Sequence, residues 1–184
     1  MIALTALGAT KPQVDDFDGL RISERPDWAL ASLAARLGRE GDLAAAARGF
    51  LGSDLPGVGR CVETPPFHVF WTGPEQWMIE APHDSHEDLA AQLKAAVGDA
   101  GSVTEQTDGW VRFDLEGAAC HDVLERLCNA DTREMAAGSA TRSRIEHLGC
   151  FLVHRGTGHF SILGPRSSAR SLHHALVMAA RSVI

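Results

Sequence analysis

Alternation of apolar and polar positions marks the strands of this chain. Phe67, Val69 and Trp71 face one way, and after Thr72-Gly73-Pro74-Glu75-Gln76 so do Trp77, Ile79 and Ala81. That pattern predicts a hairpin, with Gly73 supplying the positive φ of a tight reversal. Asp84 or Ser85 then caps a helix whose apolar positions Leu89, Leu93, Ala96 and Val97 recur at spacings of three and four, ending near Gly98.

A second block repeats this order. Val111, Phe113 and Leu115 alternate as a strand, Gly117 breaks it, and Cys120, Val123, Leu124 and Leu127 form a helical stripe. A loop from Asn129 to Arg142 leads to a predicted hairpin of His147 to His154 and His159 to Leu163 across Arg155-Gly156-Thr157-Gly158. Ser167 or Ser168 caps a last helix with Leu172, Leu176 and Ala179 inward.

Laid without gaps over the segment from Phe160, the segment from Trp77 matches Ile79 to Ile162, Pro82 to Pro165, Leu89 to Leu172 and Leu93 to Leu176, and Trp28 corresponds to Trp110. This is the pattern of an internal duplication. It conflicts with local propensity at one place: the alanine-rich segment from Trp28 to Phe50 favours helix, whereas the repeat requires a strand before Gly38 and a helix after Asp42. Leu33, Ala35 and Leu37 alternate, so the strand is the reading adopted. The fold expected is α+β, two ferredoxin-like βαββα halves packed together, completing each other's sheets with helices on one face of each. Residues 1–19 are expected to form an N-terminal tail and 20–184 one compact domain of two repeats, about 20–100 and 101–184.

Composition narrows the function. Of 184 residues 45% are hydrophobic, enough for a substantial core. A net charge of −7 provides no field for nucleic acid or an anionic membrane. The apolar opening from Met1 to Ala9 is short and lacks preceding basic residues, and no stretch approaches a membrane span. A cytoplasmic protein is expected. Cys61, Cys120, Cys128 and Cys150 are scattered through apolar stretches and read as buried, reduced thiols. The acidic run from Thr10 to Gly19 either wanders or lies on something else.

Each candidate for chemistry has a plainer explanation. His83-Asp84-Ser85-His86 falls at a strand-to-helix turn with no third metal ligand assigned. In Cys120-His121-Asp122, helical neighbours point about 100° apart and do not share a proton. The same geometry separates His173 from His174, which are expected to end a helical face in water. Gly156-Thr157-Gly158 lacks the third glycine and the helix of a dinucleotide fingerprint. Arg166 and Arg170 flank a helix start suited to an anion, but pairing with acidic residues is the reading preferred. Trp71 and Trp77 are expected in the core. No catalytic, cofactor-binding or metal residue is assigned.

Three segments carry a family likeness: FWTGPEQWMI from Phe70 to Ile79, DGWVRF from Asp108 to Phe113, and FSILGPRSSARSL from Phe160 to Leu172. Together they resemble the gamma subunit of heterotetrameric sarcosine oxidase, from about Ala29 to Ala180. The resemblance implies the folate-domain-like fold of the glycine-cleavage aminomethyltransferase and a subunit without its own cofactor. FAD, FMN, NAD, tetrahydrofolate and zinc would then lie in the alpha, beta and delta partners, chiefly the alpha subunit docking this chain. Such a complex oxidises sarcosine to glycine with hydrogen peroxide and passes the one-carbon unit to tetrahydrofolate. Related iron-sulfur maintenance proteins carry K-G-C-Y-x-G-Q-E, where this chain has Leu148-Gly149-Cys150-Phe151 without the lysine, glutamine and glutamate. The alternative is a stand-alone folate-binding or aminomethyltransferase-like protein.

Overall fold

The computed structural model describes residues 3–184. Along the chain run β1 (Val14–Phe17), β2 (Leu20–Glu24), β3 (Trp28–Ala35), α1 (Glu40–Leu51), β4 (Cys61–Thr64), β5 (Phe67–Gly73), β6 (Gln76–Pro82) and α2 (Leu89–Val97). There follow β7 (Gly101–Glu105), β8 (Trp110–Glu116), α3 (Cys120–Leu127), β9 (Ser139–Ile145), β10 (Leu148–Gly156), β11 (His159–Pro165) and α4 (Ala169–Val183). Two compact units result: Asp27–Thr107, and the residues up to Pro26 together with Asp108–Ile184.

The sheet orders reveal the duplication. One sheet runs β4-β5-β6-β3-β7 and the other β9-β10-β11-β8-β2-β1. Each half is thus a strand, a helix, a three-stranded meander and a helix, and the order is the same in both. The strand that leads into each half joins the other half's sheet: β2 precedes β3 but pairs with β8, and β7 precedes β8 but pairs with β3. The halves complete each other's sheets, as the repeat requires.

Tertiary context decides the alanine-rich segment. Trp28 to Ala34 pair with β6, and Ala31 to Ala35 pair with β7. Ala29, Ala31 and Leu33 are buried against Leu43, Ala47 and Leu51 of α1 and Leu89, Leu93 and Val97 of α2. A central strand with hydrogen bonds on both sides outweighs a helix preference of a few tenths of a kcal/mol per residue. Leu37 lies beyond the strand and is 99% exposed. In the other unit, Phe113, Phe160 and Ile162 pack with Cys120, Val123 and Leu124 of α3 and Leu172 and Leu176 of α4. Full burial of each such side chain is worth about 1.5–3 kcal/mol.

The α+β fold of two ferredoxin-like halves is the one expected, with one strand added to each half because β4 and β9 extend the hairpins to meanders. Several finer expectations are corrected. The loop expected from Asn129 to Arg142 ends at Ser139, where β9 starts. The expected tail is partly a strand: Val14 to Phe17 pair with Leu20 to Ser23, so β1 lies on β2. The units meet at 26/27 and 107/108, residues 3–26 going with the later one and β7, through its pairing with β3, with the earlier one. In the β5–β6 turn the positive φ belongs to Glu75, at 54°, and Gly73 stays in its strand. The helix following this hairpin begins at Leu89, four residues after Ser85, with Asp88 before it and no side-chain cap. α4 begins after Ser168, again uncapped by a side chain, preceded by a 3-10 turn at Arg166–Ser168.

Candidate functional site

Alternation in β8 sends Val111, Phe113 and Leu115 to the helix-covered face and Arg112 and Asp114 to the other, where both are also buried. Asp114 is surrounded by donors. Arg112 reaches it twice, Nε to Oδ1 at 2.8 Å and Nη2 to Oδ2 at 3.0 Å. Arg25 Nη1 donates to Oδ2 at 2.8 Å and Ser161 Oγ to Oδ1 at 2.6 Å. Arg155 Nε in turn donates to Ser161 Oγ at 3.0 Å, and His159 Nε2 stands 3.7 Å from Oδ2. Burial pushes the Asp114 carboxyl up, but His159, Arg112 and Ser161 around it outweigh that and hold it well below the usual carboxylate range. A general acid or base needs a pKa near the working pH. Asp114 is instead a permanent anion whose oxygens are already engaged, and it ties β8 to β11 and to the residue following β2.

A second buried carboxylate works on the N-terminal segment. Glu24 is 2% exposed and accepts the backbone N–H of Leu7 and of Gln13, each at 3.1 Å. His173 Nε2 pairs with Asp15 Oδ2 at 2.7 Å, and its ring tilts onto Phe113. This corrects the expectation that His173 ends a face in water. His174 is exposed.

The Cys120-His121-Asp122 side chains diverge. Cys120 Sγ donates to Gly158 O at 3.4 Å, His121 Nδ1 lies 3.1 Å from Thr132 Oγ1, and Asp122 pairs with Arg133. Burial, with Glu116 adding to it, pushes the Cys120 thiol up to about 12. Cys150, in the segment compared with the iron-sulfur maintenance motif, is pushed up to about 11, chiefly by burial. All four cysteines are free thiols, but Cys61 and Cys128 are only half-buried. His86 packs edge-on to Phe67 and bonds Ser85 Oγ at 2.9 Å. Among the described residues no three His, Cys, Asp or Glu side chains gather as metal ligands. Arg166 Nη1 lies 3.7 Å from Asp108 Oδ1, the acidic pairing expected of it. Trp77 is buried with Nε1 donating to Pro56 O at 2.8 Å, and Trp71 is half-buried against the same core, as expected.

Sequence reasoning missed a histidine cluster in the 108–184 unit. His154 stacks on Phe160 with centroids 4.3 Å apart, and His121 meets both rings edge-on. Nδ1 of His154 lies 2.9 Å from Met135 O, which sets the proton on that nitrogen because a carbonyl only accepts. Nε2 is buried without a hydrogen bond. The pair fastens the segment between α3 and β9, since Thr132 and Met135 both lie there. Two open grooves flank this unit: one of about 630 Å³ beside β9, lined by Arg126, Cys128, Arg142 and Arg144, and one of about 690 Å³ beside α4, lined by His147, Arg170, His174 and Met178.

No protein-family model matches the sequence, and no curated protein matches it significantly. Solved structures do. Heterotetrameric sarcosine oxidase from Corynebacterium sp. U-96, in complex with pyrrole 2-carboxylate, contains a chain 25% identical with a TM-score of 0.79, the match covering 92% of this chain and 88% of that one. Glycine cleavage system aminomethyltransferase T from Bartonella henselae matches with a TM-score of 0.66 at 15% identity, over 92% of this chain and 57% of that one. No helix among the described residues is long and apolar enough to cross a membrane. The likeness read from FWTGPEQWMI, DGWVRF and FSILGPRSSARSL is therefore present in three dimensions: this chain has an aminomethyltransferase-like fold and is similar, nearly end to end, to a chain of heterotetrameric sarcosine oxidase.

Proposed function

We propose that this chain is a non-catalytic subunit of the gamma type in a cytoplasmic, heterotetrameric sarcosine oxidase, where it supports the folate-binding alpha subunit. The observation that carries this reading is the extent of the match to the sarcosine oxidase chain, 92% of one and 88% of the other. The alignment spans most of both chains, at 25% identity and a TM-score of 0.79. A second line of support is electrostatic. Asp114 is saturated by donors and the thiols of Cys120 and Cys150 are pushed up by burial, so the perturbed groups of the interior serve packing. On this reading FAD, FMN, NAD, tetrahydrofolate and zinc are carried by the alpha, beta and delta partners, which perform the oxidative demethylation of sarcosine and capture the one-carbon unit.

The purified chain is then colourless, forms no hydrogen peroxide from sarcosine and gives no heat with tetrahydrofolate in a calorimeter. Saturable heat with the folate would replace this reading by a folate-binding protein acting alone. A bound flavin spectrum would place chemistry in this chain and contradict it as well.

A further inference from the structure

The six-stranded sheet ends at β9, which pairs with β10 and has no strand on its other side among the described residues. Beside that free edge lies the open groove of about 630 Å³ formed with the C-terminal end of α3. Three guanidinium groups line it, Arg126 from α3 and Arg142 and Arg144 from β9, and all three residues are exposed. None of them has a carboxylate partner among the described residues. Arg142 lies over the Phe151 ring at 5.6 Å. The nearby acids are already occupied, because Arg133 holds both Glu125 and Asp122 at 2.5 Å. A concentration of unpaired positive charge along a sheet edge is unexpected in a chain of net charge −7.

We propose that the β9 edge is a docking site for an extended acidic segment of a partner subunit, which adds a strand to the sheet and sets carboxylates against Arg126, Arg142 and Arg144. An unpaired edge supplies main-chain donors and acceptors to any extended chain, and side chains then choose among candidates. Arginines on the edge repel basic strands and leave the cost of their own desolvation unrecovered by neutral ones. An acidic strand offers each guanidinium a paired carboxylate, so the same charges that protect the edge in the free chain select its occupant. The partner's identity as a sarcosine oxidase subunit rests on the proposed function, whereas the preference for an acidic strand does not.

The probe is a fluorescein-labelled peptide of alternating Glu and Val, with a Lys and Val peptide as control, followed by anisotropy and by amide hydrogen exchange of the chain. The acidic peptide is expected to bind with a salt-sensitive affinity, to slow exchange along Ser139–Ile145, and to weaken about tenfold or more in the exposed variants Arg142→Glu/Arg144→Glu and Arg126→Glu. Circular dichroism checks that these variants fold. Binding unaffected by the substitutions, or full displacement by inorganic phosphate with no change in β9 exchange, overturns the docking edge. Self-association of the free chain that Arg142→Glu/Arg144→Glu abolishes assigns the edge to a second copy and also overturns the proposal. In co-expression with sarcosine oxidase alpha, beta and delta subunits, the double variant is expected to drop out of the complex. If it stays, the docking edge fails and the subunit reading stands. If the native chain itself does not assemble, the subunit reading fails and the peptide experiment decides the edge separately.

Discussion

Asp114 shows how a charged residue becomes a fastening. With Arg112 3% exposed beside it, neutralising Asp114 removes the carboxylate that Arg112 bonds twice and Arg25 once, and Asp114→Asn is expected to destabilise the chain by about 3–5 kcal/mol in urea unfolding. The folded carboxyl is held below its ordinary value. Its contribution is therefore complete above the unfolded pKa of about 3.9 and is lost as pH falls through the folded one, so native stability declines more steeply than that of Asp114→Asn below about pH 5. Parallel slopes for the two proteins between pH 6 and pH 3 would refute the assignment. A thiol assay separates the cysteines in the same way. With Cys120 raised to about 12 and Cys150 to about 11, both are expected to stay silent toward a disulfide reagent at pH 8 until the chain unfolds, while half-buried Cys61 and Cys128 react first.

At the scale of elements, three turns meet at one end of the six-stranded sheet. Gly117 N donates to Gly158 O at 2.8 Å, and Ala119 N donates to Gly19 O at 3.1 Å. A Cβ on Gly117, whose φ is 136°, would stand 2.2 Å from Gly19 O. Gly117→Ala therefore combines a forbidden φ with a backbone clash, and a loss of about 3 kcal/mol or more is expected in thermal or urea unfolding. Gly117 was legible as a strand breaker, but its partners were not, because Gly19 and Gly158 are distant in sequence. The same limit governs the rest. β5, β6 and β8 announce themselves by alternation because their inward positions carry Val, Leu, Ile, Phe and Trp, and β10 and β11 by apolar runs about the Arg155–Gly158 turn, whereas β3, with Ala29, Ala31 and Leu33 inward, is legible chiefly through the repeat. β4, β7 and β9, written CVET, GSVTE and SATRSRI, are polar edge strands held by hydrogen bonds more than by burial. β1 is masked by its acidic run VDDF, which reads as a tail until Leu20 and Ile22 of β2 bring it to the core. Alternation placed Arg112 and Asp114 opposite Phe113 but gave no sign that the opposite face is buried. The partner of His173 lies 158 residues away, beyond the reach of any local pattern.

For the molecule as a whole, the exchange of β2 and β7 between sheets makes neither half a self-sufficient unit. Each sheet depends on a strand supplied from outside its own half, so a chain cut between Gln106 and Thr107 is expected to leave the first sheet intact and deprive β8 of β2. The decisive measurement is native mass spectrometry of this chain co-expressed with sarcosine oxidase alpha, beta and delta subunits. A single species containing one copy of each, which loses this chain only on denaturation, is the predicted result. Recovery of this chain by itself, beside a complete and active complex of the other three, would contradict the account.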